Sequence, residues 1–235
     1  MSKQLAFVVY CLFLIPSAVL AQQAAAQQPA AQPPASQQTP AKQPAAQQPV
    51  PQGSYEALLE KVKKQDPAVN FKDLRFAYTE TKQYKPYGGD RETRKAMFEA
   101  INAKEYDQAF LLSEKILASN YLDINAHFVA YAANKHLGHS ERTEYHKYVF
   151  SNLMKSISDS GDGKTMETAF FVISTDEEYA LFNFMGLRPT GQALIEDKGH
   201  HYDQMTAIDP QTNQSSTYFF NIDKPFNWLG NSLKN

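Results

Sequence analysis

From residue 54 onward, apolar side chains recur at three- and four-residue intervals, which predicts a succession of short amphipathic helices. In "SYEALLEKVKKQDP" Tyr55, Leu58, Leu59 and Val62 share one face, with Ser54 placed to cap the start and Pro67 just past the end. "NFKDLRFAYTETKQY" repeats the pattern with Phe71, Leu74 and Tyr78. The chain then breaks at "YKPYGGD", where Asp90 can cap the next helix. "DRETRKAMFEAINAKEYDQAFLLSEKILASN" predicts two helices meeting near Ala103 and Lys104. Met97, Phe98 and Ile101 line the first; Tyr106, Ala109, Phe110, Ser113 and Ile116 line the second. "LDINAHFVAYAANKHLGHSERTEYHKYVFSNLMKSI" does the same, with Ile124, Phe128 and Tyr131 on one helix and Tyr145, Tyr148, Val149 and Leu153 on the other. Gly138 and Ser140 mark the turn between them.

The spacing of Tyr106, Ala109, Ser113 and Ile116 resembles the second helix of a tetratricopeptide repeat, whose small residues let paired helices approach closely. The first helix lacks the usual tryptophan-leucine-glycine signature and has Asn102 where the glycine would stand. Two or three degenerate helical hairpins fit this spacing, and so does an irregular bundle packed in the same way.

After "SGDG" the period changes to two. Residues 169–174 read as a strand, and "STDEEYALFNFMG" as a helix that opens on a capping box, Thr175 with Glu178, and closes on Gly186. "GQALIEDKGHHYDQMTAIDPQTNQSSTYFFNID" alternates across turn signals, giving about three antiparallel strands with a hairpin at "DPQTNQ". The expected fold is α+β. Helical hairpins occupy residues 54–160, and a small antiparallel β unit with one helix occupies residues 161–235.

The first 53 residues are a different polymer. Residues 1–21 read as a secretory signal: Lys3 gives a positive start, residues 5–15 an apolar run, and Val19-Leu20-Ala21 a small-residue cleavage site. The apolar run is short for a membrane-spanning helix, although a retained anchor is the other reading. Cys11 is the chain's one cysteine and lies inside this signal, preceded by Tyr10 where a lipoprotein site would need a small residue. Cleavage would leave no thiol for disulfides, metal binding or nucleophilic catalysis. In residues 22–53, 27 of 32 side chains are Gln, Ala or Pro. That composition buries almost nothing and predicts a disordered linker, either a tether in the envelope or a permissive spacer.

Cleavage would remove Lys3 from the 23 basic side chains, leaving 22 against 25 acidic ones, a net charge of −3. This balance gives no electrostatic footprint for nucleic acid or for an anionic membrane. Gly163-Lys164-Thr165 has the look of a phosphate-binding loop, but the first glycine of G-x-x-x-x-G-K-[ST] should stand at 158, which is Ser158. The order is also reversed, with a helix before and a strand after. Asp159 and Asp162 miss the alternating spacing of a calcium loop. The segment is expected to be a turn.

His136, His139 and His146 lie close in sequence, but Gly138 separates the first two, and no carboxylate completes a ligand set. In a strand His201 and Asp203 would share a face, where an imidazole beside a carboxylate can bind metal or relay a proton. Exposed turn and edge residues are the plainer reading. Asp176, Glu177 and Glu178 read as a solvated helix start. No G-x-S-x-G, S-x-x-K or H-E-x-x-H motif supports covalent or zinc catalysis. Tyr78, Tyr84 and Tyr87 cluster around "YKPYGG", and the loop at residues 84–89 is the best candidate for an exposed contact.

Three segments, "FKDLRFAYTETKQYKPYGG", "GDGKTMETAFFVISTDEEYALFNFMGLRPTG" and "HHYDQMTAIDP", together resemble a family of secreted bacterial proteins numbered 4919 among the domains of unknown function. The resemblance spans nearly all of residues 54–235. It implies secretion to the periplasm and the fold above, assigns no activity, and makes "GDGKT" a family signature.

The expected function is therefore a non-catalytic envelope binding or scaffolding module, whose helical hairpins present a groove to a protein or peptide. The alternative is an enzyme or small-ligand binder at the helix–sheet junction, with Asp162, Lys164, His201 and Asp203 converging in one pocket. The binding candidates are Tyr84, Tyr87, Asp162, Lys164, His201 and Asp203. No cofactor or metal is expected, and the sequence leaves the oligomeric state open.

Overall fold

The computed structural model describes residues 53–233. The expected signal and most of the expected linker lie outside the described residues. The elements run α1 (Tyr55–Lys63), α2 (Phe71–Tyr78), α3 (Arg91–Asn102), α4 (Tyr106–Ser119), α5 (Ile124–Leu137), α6 (Ser140–Ser158), β1 (Phe170–Phe171), α7 (Thr175–Met185), β2 (Arg188–Asp197), β3 (His200–Ile208), β4 (Ser215–Asn221) and α8 (Asp223–Ser232). The fold is α+β. Among the described residues no helix is long and apolar enough to cross a membrane.

Local chemistry sets the helix ends. Ser54 accepts from Ala57 N–H at 3.3 Å and Asp90 from Thr93 N–H at 2.9 Å. Each satisfies one of the donors that a first turn leaves unpaired. Gly138 and Gly186 end α5 and α7 in the left-handed conformation that glycine adopts without cost. The start of α7 departs from expectation. Its cap is Ser174, whose side chain makes no capping bond, and Glu178 is buried instead of reaching back.

Helices α3, α4 and α5 enclose a small core of their own, built from Met97, Ala100, Ala109, Ile116, Leu117, Ala126, Val129 and Ala133. A larger core runs from Leu58, Val62 and Leu74 through Leu153 and Ile157 to Phe170, Leu181, Phe182, Met205 and Phe220. The second core joins α1, α2 and α6 to the sheet and α7, so one apolar interior is continuous across the helical and β-rich parts.

The sheet order is β1-β4-β3-β2. Strands β2, β3 and β4 form the expected antiparallel meander, but β1 is only two residues long and pairs parallel to β4, so the sheet is mixed. Helix α8 is absent from the pattern reading. Its Pro225 stands in the first turn, where a missing N–H does no harm, although in sequence it looks like a breaker.

Candidate functional site at the helix–sheet junction

Helix α7 places three consecutive acids at its start, and at 3.6 residues per turn consecutive side chains point about 100° apart. They meet three different surroundings. Asp176 takes Arg94 at 2.9 Å, and that guanidinium also holds Asp123 at 2.7 Å. Glu177 is buried and pairs with the fully buried Arg75 through two bonds, 2.8 Å from Nε and 2.5 Å from Nη2. Arg75 also donates to Phe171 C=O at 2.8 Å and to Ser156 Oγ at 3.3 Å, and Glu177 accepts from Ile173 N–H at 2.8 Å. This network locks α2, α6, β1 and α7 together. The solvated helix start expected from the sequence is therefore corrected: two of the three acids are interior.

Glu178 has no cation. It is fully buried, and its carboxyl group faces that of Asp203. Burial pushes it well above the usual carboxylate range, and the neighbouring Asp203 charge adds to the shift. Asp203 is also raised by burial, against a 2.7 Å bond from Gln192 Nε2 that favours its ionised form. The pair ionises at Asp203 first, leaving the proton on Glu178.

A stability effect of known sign follows. A carboxyl group whose folded pKa is raised stabilises the fold fully below its unfolded value, near 4.5, and loses that contribution as pH rises through the folded value. Glu178→Gln, which keeps a donor facing Asp203, is expected to gain about 1–3 kcal/mol above neutral pH. The gain should vanish below about pH 4.5. Denaturant titrations at pH 8 and pH 4 check both arms, and an equal effect at the two pH values would contradict the assignment.

The sheet above this pair is open on one side. Strand β3 turns Met205 and Ala207 into the core, and by pairing register Gln192 and Leu194 of β2 lie on that same face. Both are exposed nonetheless, Leu194 at 59 %. Tyr87 and Tyr179, also exposed, sit near the acid pair: burial raises both hydroxyls, and the Glu178 and Asp203 charges raise them further. Trp228 of α8 lies 6.3 Å from Tyr87, ring centre to ring centre. Exposed Leu194 thus lies on an edge strand of ten residues, directly across from Asp203, the residue that Tyr87 and Tyr179 approach.

The residues expected to converge do not. Asp162 and Lys164 lie in an exposed loop, where Asp162 Oδ1 accepts from Lys164 N–H at 3.0 Å and from Thr168 Oγ1 at 2.6 Å. His201 and Asp203 share a face of β3, but His201 stacks on Phe226 at 3.6 Å while Asp203 turns under α7. Tyr84, expected in an exposed loop, is buried; its hydroxyl donates to Ile173 C=O at 2.6 Å and its ring packs between Tyr78 and Trp228. Tyr87 is the exposed tyrosine of that loop. "GDGKT" is a structural turn, with Gly163 N–H bound to Thr168 C=O and Gly163 C=O accepting from Phe219 N–H, each at 2.8 Å.

Two histidine pairings escaped the sequence reading. His200 Nδ1 lies 2.7 Å from Asp223, which also accepts from His201 N–H at 2.7 Å and from Asn221 at 3.2 Å, fastening α8 to the β2–β3 turn. His127 and His146 face each other through Nδ1 at 3.1 Å in the helical part. Burial lowers them to about 3 and about 4, and each is further lowered by a nearby base, His146 acting on His127 and Arg142 on His146. His127 Nε2 lies 2.8 Å from Tyr121 C=O, which can only accept. Its Nδ1 is then the acceptor for His146, and both rings are neutral. The alternation of strand faces signals His200, but nothing local signals a contact between α5 and α6. Among the described residues no three His, Cys, Asp or Glu side chains gather as metal ligands.

The family described as Domain of unknown function (DUF4919) matches residues 50–229. No curated protein and no solved structure matches the chain.

Proposed function

We propose that this chain, which belongs to the DUF4919 family, is a non-catalytic binding or scaffolding module of the bacterial envelope whose docking surface is the edge of its sheet. The observation that carries the reading is β2. Among the described residues it is an edge strand of ten residues with no strand on its far side, and it carries the exposed Leu194. Such an edge accepts a further strand through main-chain hydrogen bonds, while side chains on the adjoining face set the preference for the partner.

The helical hairpins, tetratricopeptide-like in spacing, support the docking role less well than the sequence suggests. Leu111 is the one large apolar side chain exposed on α3 to α6, and the small residues of α4 are spent on packing: Ala109 and Ser113 are fully buried. A catalytic pocket is the weaker reading because Asp162 and Lys164 stand in an exposed loop, apart from the Asp203 carboxyl. The signal-like residues 1–21 support placement in the periplasm.

A photo-reactive residue placed at Leu194 in intact cells tests the docking reading, with Leu111 as the control. Adducts are expected from position 194 and none from 111. Adducts from position 111 alone would return the docking surface to the helices.

A further inference from the structure

We infer that the strand received by β2 is β2 of a second copy of this chain, paired antiparallel about a two-fold axis. The inference rests on the reading of β2 as the docking edge and adds its partner. It starts from the distribution of charge along the strand, Arg188 at one end and Glu196 and Asp197 at the other, with no charged side chain between. Antiparallel self-pairing brings the basic end of each copy to the acidic end of the other.

The pairing register inside the sheet makes this specific. Arg188 pairs with Ile208, Gly191 with Thr206, Ala193 with Gln204, Ile195 with Tyr202 and Asp197 with His200, so these β2 residues share one face. Pro189, Gln192, Leu194 and Glu196 share the other, and Thr190 is passed over at the irregularity between Pro189 and Gly191. Centre a two-fold axis on Ala193 and pass over Thr190 in the same way. Gln192 then meets Leu194, Gly191 meets Ile195, Pro189 meets Glu196 and Arg188 meets Asp197. Every pair lies on a matching face, and opposite charges directly across an antiparallel pair attract.

Three further features fit a second copy. Ala193, at the axis, is small enough for two strands to approach. Gly191 leaves room opposite Ile195. The exposed Leu194 stands at the seam next to the axis, where the two-fold brings the same side chain from the other copy. Because the axis repeats every contact, each substitution is felt twice. Pro189, which has no N–H to donate, and the irregularity beside it blunt open-ended addition along this edge.

Sedimentation velocity on a dilution series of the purified chain tests this. The chain is expected to be a dimer that dissociates on dilution. Arg188→Glu and Asp197→Arg should each weaken the dimer about tenfold or more, since each turns two attractions into two repulsions. The double variant, which restores the pairing with its charges exchanged, should recover the dimer. A chain that stays monomeric at every concentration overturns the inference, as does a double variant that stays monomeric or a dimer indifferent to both single changes. A monomer that still cross-links to another protein through position 194 sinks self-pairing and leaves the docking reading standing. A monomer without such adducts sinks both.

Discussion

Replacing Glu177 by alanine is expected to destabilise the fold by about 3–5 kcal/mol, because it leaves the Arg75 guanidinium buried without its counter-charge. The change also removes the acceptor for Ile173 N–H, so a second buried group loses its partner. The Phe171 carbonyl and Ser156 hydroxyl still receive Arg75, but neither carries charge. Urea titration of Glu177→Ala against the parent reads the loss directly. A paired change, Arg75→Met with Glu177→Leu, should recover most of it, because apolar side chains of similar volume can replace a buried ion pair at little cost. A single variant that loses less than about 1 kcal/mol would mean the pair is effectively solvated. A double variant no better than the single would mean that the network specifies the packing as well as neutralising charge.

Gly161→Ala is the second large effect expected, at roughly 3 kcal/mol. A β-carbon there would stand 2.2 Å from the Thr168 carbonyl oxygen, and the obstacle is backbone, which cannot swing away as a side-chain tip can. Gly186→Ala provides the comparison. Gly186 has a left-handed φ of +71° but open space around it, so alanine there costs only the conformational strain, about 1 kcal/mol. Thermal unfolding of both variants checks the difference, and equal losses would mean that the Thr168 backbone relaxes away from the added β-carbon at little cost. The glycines of "GDGKT" are thus accounted for by close approach within a turn. Gly163 adds to this, since a β-carbon on it would lie 2.3 Å from the Phe170 ring.

Helices α1 to α7 were legible because each buries a face that recurs within its own turn. Leu58, Val62, Leu74, Met97, Ile116, Val149 and Leu153 are all buried as their spacing implies, and Ser54, Asp90, Gly138 and Gly186 stand at the ends they mark. What escaped depends on distant partners. Glu177 reads as a solvated acid until Arg75 is known to meet it from 102 residues away. Nothing near Glu178 in sequence announces Asp203. Tyr84 looks exposed because it sits among Pro and Gly, yet two distant groups, Trp228 and the Ile173 carbonyl, close over it together with nearby Tyr78. The openness of β2 was equally hidden. Its alternation is that of a half-buried strand, and only the sheet order, with β3 on one side and no strand among the described residues on the other, leaves Leu194 in solvent.

On the reading proposed above, the free side of β2 is where this protein meets its partner. Amide hydrogen exchange over residues 192–197 tests that directly, measured on the dilute chain and again on the assembly recovered by cross-linking from the envelope. The amides that face away from β3 should exchange quickly in the dilute chain and at least about tenfold more slowly in the assembly, with those of α3 to α6 unchanged. Equal rates for β2 in both samples, with slowing on the helices, would contradict it.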